Sequence, residues 1–125
     1  HPQVRAQHDQ VLQEYLTIQC YNKYHIIMDD LMRFEWDPAK ADLNIKKHGI
    51  SFDEAKTVFY DERAVLFDDP DHSLDEERFL ILGISQNLRL LIVSHCLRER
   101  GNVIRIISAR KAMKIEERQY EEFNQ

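Results

Sequence analysis

The chain has 125 residues, 43% of them hydrophobic, and a net charge of −5. That is enough for one compact domain with a core, and no apolar run approaches the roughly 18–20 residues a membrane-spanning helix needs. The acidic total argues against a nucleic-acid binder, but the charge is uneven: 61–77 carries eight acids and one arginine, whereas 95–114 carries six Lys/Arg and one acid, Glu99. The second stretch can sustain a local positive field despite the total.

Residues 1–31 read as an N-terminal extension, non-native or vector-derived in part, with an amphipathic helix across Asp9–Gln19. No basic start followed by an apolar block marks a cleavable signal. Cys20 and Cys96 match no metal spacing and read as free thiols of a cytoplasmic protein. The functional domain is expected to occupy residues 32–125.

Met32–Trp36 predicts a short strand. Asp37-Pro38 is an N-cap followed by proline at the first helical position, and the helix runs through Ala39, Leu43 and Ile45 to a C-cap at Gly49. Ser51-Phe52-Asp53-Glu54 predicts a capping box opening a second helix, with Glu54 reaching back and Ile50 stapling onto Ala55. Strands follow at Ala64–Phe67, Arg78–Ile84, Leu88–Cys96 and Val103–Arg110. The last is β-branched and apolar almost throughout, as in a strand buried on both faces. A final helix is expected over Lys111–Phe123, with Ala109, Met113, Tyr120 and Phe123 on one stripe. The expected class is α+β, in the order β-α-α-β-β-β-β-α, with an antiparallel sheet packed against helices.

Several separated blocks carry a family resemblance. Phe34-x-Trp36-Asp37-Pro38-x-Lys40, Asn44 and Lys47-His48-Gly49-Ile50-Ser51-Phe52-x-Glu54-Ala55 resemble the start of BrnT-type toxins. Glu77-Arg78, Gly83, Arg98, Ile104 to Arg110, Glu117-Arg118 and Tyr120 continue the pattern in order. The resemblance implies a RelE-like fold and a toxin of a type II toxin–antitoxin system: a ribonuclease that halts translation. It also implies neutralisation by a BrnA-like antitoxin with a ribbon-helix-helix domain, operator DNA being met only through the antitoxin complex.

Metal-independent RNA cleavage needs a base for the 2′-hydroxyl proton, an acid for the leaving oxygen and cations on the phosphoryl oxygens. No metal or cofactor is expected: the loop from Asp68 mimics the start of a calcium loop but has Leu74 and Leu80 where glycine and glutamate are required. Arg78 and Arg98 are the expected phosphate ligands, their planar forks matching phosphate oxygens. In a meander Arg78 falls near His95, Arg98 and Arg105. Arg105, inside the buried run, is read as structural. Arg110 leaves at the other end of the sheet; it is either a site residue or an anchor for the last helix through Glu54 or Asp53. His48 is a candidate acid or base because imidazole titrates near neutrality. Lys47 beside it complements the helix dipole or contacts RNA. Glu77 is a candidate base. Tyr120 reads as core packing in preference to base stacking.

Two rival readings remain. The helices flanking Gly49 could form a DNA-binding helix-turn-helix, although the second helix carries Asp53 and Glu54 against one lysine, Lys56. Alternatively, the basic face only docks an acidic antitoxin segment and catalyses nothing.

Overall fold

A computed structural model describes residues 33–69, 78–99 and 102–125. Residues 1–32, 70–77 and 100–101, which include Cys20, Glu77 and the expected N-terminal helix, lie outside the described residues. The element order is β1 (Arg33–Glu35), α1 (Pro38–His48), α2 (Phe52–Thr57) with a 3-10 turn (Val58–Tyr60), β2 (Val65–Asp68), β3 (Phe79–Ile84), β4 (Leu90–Arg98), β5 (Val103–Lys111) and α3 (Lys114–Phe123).

The caps form where the sequence places them. Asp37 accepts the Ala39 N–H at 2.9 Å, Pro38 opens α1, and Gly49 closes it at φ 71° with its N–H on the Ile45 carbonyl. Ser51 accepts the Glu54 N–H at 3.0 Å. Glu54 does not reach back, however. Its carboxylate takes both Nε and Nη2 of Arg89 and the Ser85 hydroxyl, pinning α2 to the β3–β4 turn. A buried carboxylate surrounded by three strong donors gains more there than from one exposed N–H.

The sheet order is β1-β5-β4-β3-β2. The meander β2 to β5 is antiparallel as expected, whereas β1 joins the outer side of β5 in parallel, making the sheet mixed. The return of β1 through α1 and α2 to the far edge is what permits a parallel pairing.

One face packs under α1 and α2. Ile50, Phe52, Ala55, Val58 and Phe59 meet Ile81, Leu91, Val93, Ile104, Ile106 and Ala109 in a single core. Ile50 and Ala55 are both fully buried there. The α1 contribution departs from expectation: Leu43 and Ile45 are exposed, and the buried residue is Asn44. Its amide acts as a short extra strand, accepting the Ala109 N–H at 3.1 Å while donating to the carbonyls of Ala109 and Ile50 at 2.9 Å. This satisfies β5 beyond the last residue that β1 reaches.

The opposite face is partly covered by α3. That helix starts at Lys114, so Ala109 belongs to β5, and Met113 and Phe123 are largely exposed. It is held by Glu116 on Arg110, by the Tyr120 hydroxyl donating to Asp61 at 2.7 Å, and by Phe123 edge-on to Phe67. No helix among the described residues is long and apolar enough to cross a membrane.

Candidate functional site

Strand alternation distributes the expected site residues. Ile104, Ile106, Val93 and Phe79 face the helices, so Arg105, flanked by two of them, points to the opposite face. On β4, His95 meets Phe59 on the helix side, and Arg98, three residues on, points away from it. Phe79 pairs with His95 and Cys96 with Arg105, so Arg78 lies one step before β3 toward the same end of the sheet. The Arg78 carbonyl accepts the Asp69 N–H there at 3.1 Å.

Arg98 and Arg105 converge on one carboxylate. Arg98 Nε lies 3.5 Å and Arg105 Nη1 3.3 Å from the same Glu35 oxygen, Oε1. Register explains the meeting: Glu35 pairs with Arg105, and Arg98 pairs with Val103, the second residue before Arg105 on the same face. The partner that Arg105 required is therefore an acid of the same chain. Beside this group Arg33 pairs with Glu99, both side chains more than 60% exposed.

Arg110 lies elsewhere. It shares the face of Arg105 but is five residues further along β5, about 16 Å at the rise of a strand. It anchors the last helix through Glu116, and not through Glu54 or Asp53: Nη1 and Nη2 reach the two carboxylate oxygens at 2.8 and 2.9 Å. Arg110 holds the Glu116 carboxyl below the usual carboxylate range against the opposing effect of burial, and the Met113 N–H adds to the lowering.

His95 does not join a phosphate site. It is fully buried, edge-on to Phe59 at 4.8 Å, with Nδ1 donating to the Val93 carbonyl at 3.1 Å. Burial pushes its pKa down to about 4, so it is neutral near pH 7. Lys47 and His48 end α1 on the helical layer, behind the sheet from the arginines; Lys47 is exposed and His48 half-buried. Tyr120 is taken up by Asp61, and burial together with that carboxylate pushes its hydroxyl up to about 12.

The family model describing the ribonuclease toxin BrnT of type II toxin–antitoxin systems matches residues 36–116. The chain belongs to the BrnT family. BrnT of Brucella abortus, a ribonuclease toxin solved at 1.1 Å, matches with a TM-score of 0.51 and 25% identity, over 66% of this chain and 99% of that one. No curated protein matches the chain. In this BrnT-family protein the meander, the two helices behind it and all the described candidate residues, Lys47, His48, Arg78, Arg98 and Arg110, fall within the matched segment.

Glu35, one residue ahead of that segment, escaped the sequence reading. Its signal was its position between Phe34 and Trp36: in a strand whose aromatic neighbours are in the core, it had to point to the other face. Arg89 escaped for a different reason, because its partner Glu54 is 35 residues away and already had a local role as a cap residue.

Proposed function

We propose that this protein is a metal-independent endoribonuclease whose RNA site is the arginine rim formed by Arg98 and Arg105, with Arg78 at the same end of the sheet. The observation that carries this is the Glu35 triad. Two guanidiniums converge on one carboxylate oxygen on a surface where the Arg98 side chain is 48% and the Arg105 side chain 33% exposed. The planar five-donor fork of a guanidinium matches the oxygens of a phosphodiester, the chemistry such a rim offers to RNA. Arg110, with both terminal nitrogens committed to Glu116, supports α3 and leaves the reaction to the rim.

Cleavage of cellular RNA in the cytoplasm would halt translation, and a ribbon-helix-helix antitoxin would neutralise it by covering the rim. The family membership supports the toxin part of this reading, and the exposed cationic rim supports the antitoxin contact. A DNA-binding reading fares worse: α2 is six residues long, buries Phe52, Glu54 and Ala55, and offers solvent Asp53 with Lys56 paired to it.

The test is to induce the full chain in bacteria and follow growth together with transcript integrity. Growth arrest accompanied by cleaved transcripts is expected, with arrest relieved in Arg98→Ala. Arrest with intact RNA would overturn the nuclease reading.

A further inference from the structure

Four carboxylates of the described residues pair with arginine, and they differ in kind; Glu99 meets the single guanidinium of Arg33 at the exposed surface. Glu54 is 4% exposed and accepts from Arg89 Nε, Arg89 Nη2 and Ser85, so both of its oxygens are occupied. Glu116 is 8% exposed and accepts from Arg110 Nη1, Arg110 Nη2 and the Met113 N–H, again on both oxygens. Each is a closed clamp: two-pronged, shielded and saturated. Glu35 is built otherwise. Its side chain is 42% exposed, it is touched at 3.3 and 3.5 Å and not at 2.8 Å, and both guanidiniums address Oε1. Among the described residues no hydrogen bond ends on Oε2.

We infer that Glu35 is the general base of the nuclease, a role resting on the ribonuclease reading above. Two guanidiniums that hold one oxygen orient the carboxylate and leave Oε2 to the 2′-hydroxyl, beside the cations that would hold the scissile phosphate. In the step, Glu35 takes the proton of the 2′-hydroxyl. The O2′ electron pair forms the bond to phosphorus while the P–O5′ bond breaks toward O5′, which takes a proton from water. The products are a 2′,3′-cyclic phosphate and a 5′-hydroxyl, and Glu35 returns its proton to solvent. Arg98 and Arg105 bind the two non-bridging oxygens as their charge grows. Among the described residues, the charged groups paired at or beside Glu35 are Arg105 from β5, Arg98 from β4 and, two residues back on β1, Arg33 with its partner Glu99. His48 and Lys47 lie on the other side of the sheet and cannot serve the same phosphate.

The experiment compares the full-length protein with Glu35→Gln and Glu35→Asp on a fluorescent RNA oligonucleotide, measuring kcat/KM against pH. Each variant is first checked for a wild-type thermal unfolding curve. Wild type is expected to show a pH-dependent rate. Glu35→Gln is expected to lose about a hundred-fold or more in rate, together with that pH dependence. Glu35→Asp is expected to recover part of the rate and the pH dependence with it. Glu35→Gln that is slower but follows the wild-type pH profile would overturn the assignment, because a residue that merely positions the arginines leaves the titrating base in place. A substrate with 2′-deoxy sugar at the cut site is expected to resist; its cleavage would overturn the same assignment. No cleavage by wild type would instead strike at the ribonuclease reading itself.

Discussion

Arg110 and Glu116 form a two-pronged ion pair, at 2.8 and 2.9 Å, between the end of β5 and the first turn of α3. The carboxylate is also the acceptor for the Met113 N–H, so one side chain both caps the helix and ties it to the sheet. Glutamine at this position would keep one acceptor oxygen but lose the charge and set an NH2 donor against the Arg110 guanidinium or the Met113 N–H. Glu116→Gln is therefore expected to lower unfolding stability by about 1.5–3 kcal/mol, the range for hydrogen bonds to charged groups. Urea denaturation checks it, and Arg110→Ala is expected to fall in the same direction. If Arg110→Ala abolished RNA cleavage at unchanged stability, Arg110 would belong to the site after all.

His95 gives the fold a specific sensitivity to acid. Its pKa is about 4 when folded against 6.5 for a free imidazole, so between these values the unfolded chain binds a proton and the folded one does not. Stability is then fully present above pH 6.5 and is lost as pH falls toward 4, by up to about 3 kcal/mol at about 1.4 kcal/mol per unit. Glu54 and Glu116, both lowered from 4.5, add a further loss as pH falls through their folded-state values. Urea midpoints from pH 7 to pH 5 are expected to decline in wild type and to stay nearly flat in His95→Leu. Equal slopes would contradict the buried neutral imidazole.

Gly83 is a contact point between β3 and the 3-10 turn. A Cβ there would lie 2.9 Å from Val58 Cγ1, 3.0 Å from Asp61 Oδ2 and 3.1 Å from the Ala64 Cβ. Asp61 cannot simply retreat, because the same oxygen accepts from the Ile84 N–H and the Tyr120 hydroxyl. Gly83→Ala is expected to cost about 1–3 kcal/mol, the range for overpacking, and to loosen α3 through Asp61. Hydrogen exchange at Tyr120 and its neighbours measures the second effect.

Asn44 is the polar residue on which the α1 packing depends. Asn44→Ala would strand the Ala109 N–H and two carbonyls in a buried place, at about 1–3 kcal/mol for each group left unmade. Asn44→Asp keeps the acceptor for Ala109 but sets a carboxylate against two carbonyl oxygens, and is expected to be destabilising as well. Thermal unfolding of both variants separates them from Leu43→Ala, which is expected to be nearly silent because Leu43 is 63% exposed.

What the sequence made legible was local. Asp37, Pro38, Gly49 and Ser51 announce their caps because each acts within four residues, and the β-branched run from Val103 announces its strand. The meander followed from short connections. Pairings across the fold were another matter. Glu54 has a local role as a cap residue and a distant one with Arg89, and the distant one wins because the site is buried. Periodicity pointed to Leu43 and Ile45 on α1, yet β5 needed hydrogen bonds at Ala109, so a polar residue took the inward position. Register along the strands brings His95 near the arginines, but its face of the strand puts it in the core. Glu35 was visible as a residue but not as a partner, since the parallel pairing of β1 with β5 depends on the whole chain between them.

The claim that most depends on this arrangement is that the rim of Arg98 and Arg105 grips the RNA backbone. The direct measurement is the RNA cleavage rate of the Arg98→Ala/Arg105→Ala double variant against wild type, with unfolding curves confirming that both are folded. At about 1.5–3 kcal/mol per lost phosphate contact, the account predicts a fall of about a hundred-fold or more. A folded double variant that cleaves at the wild-type rate would contradict it.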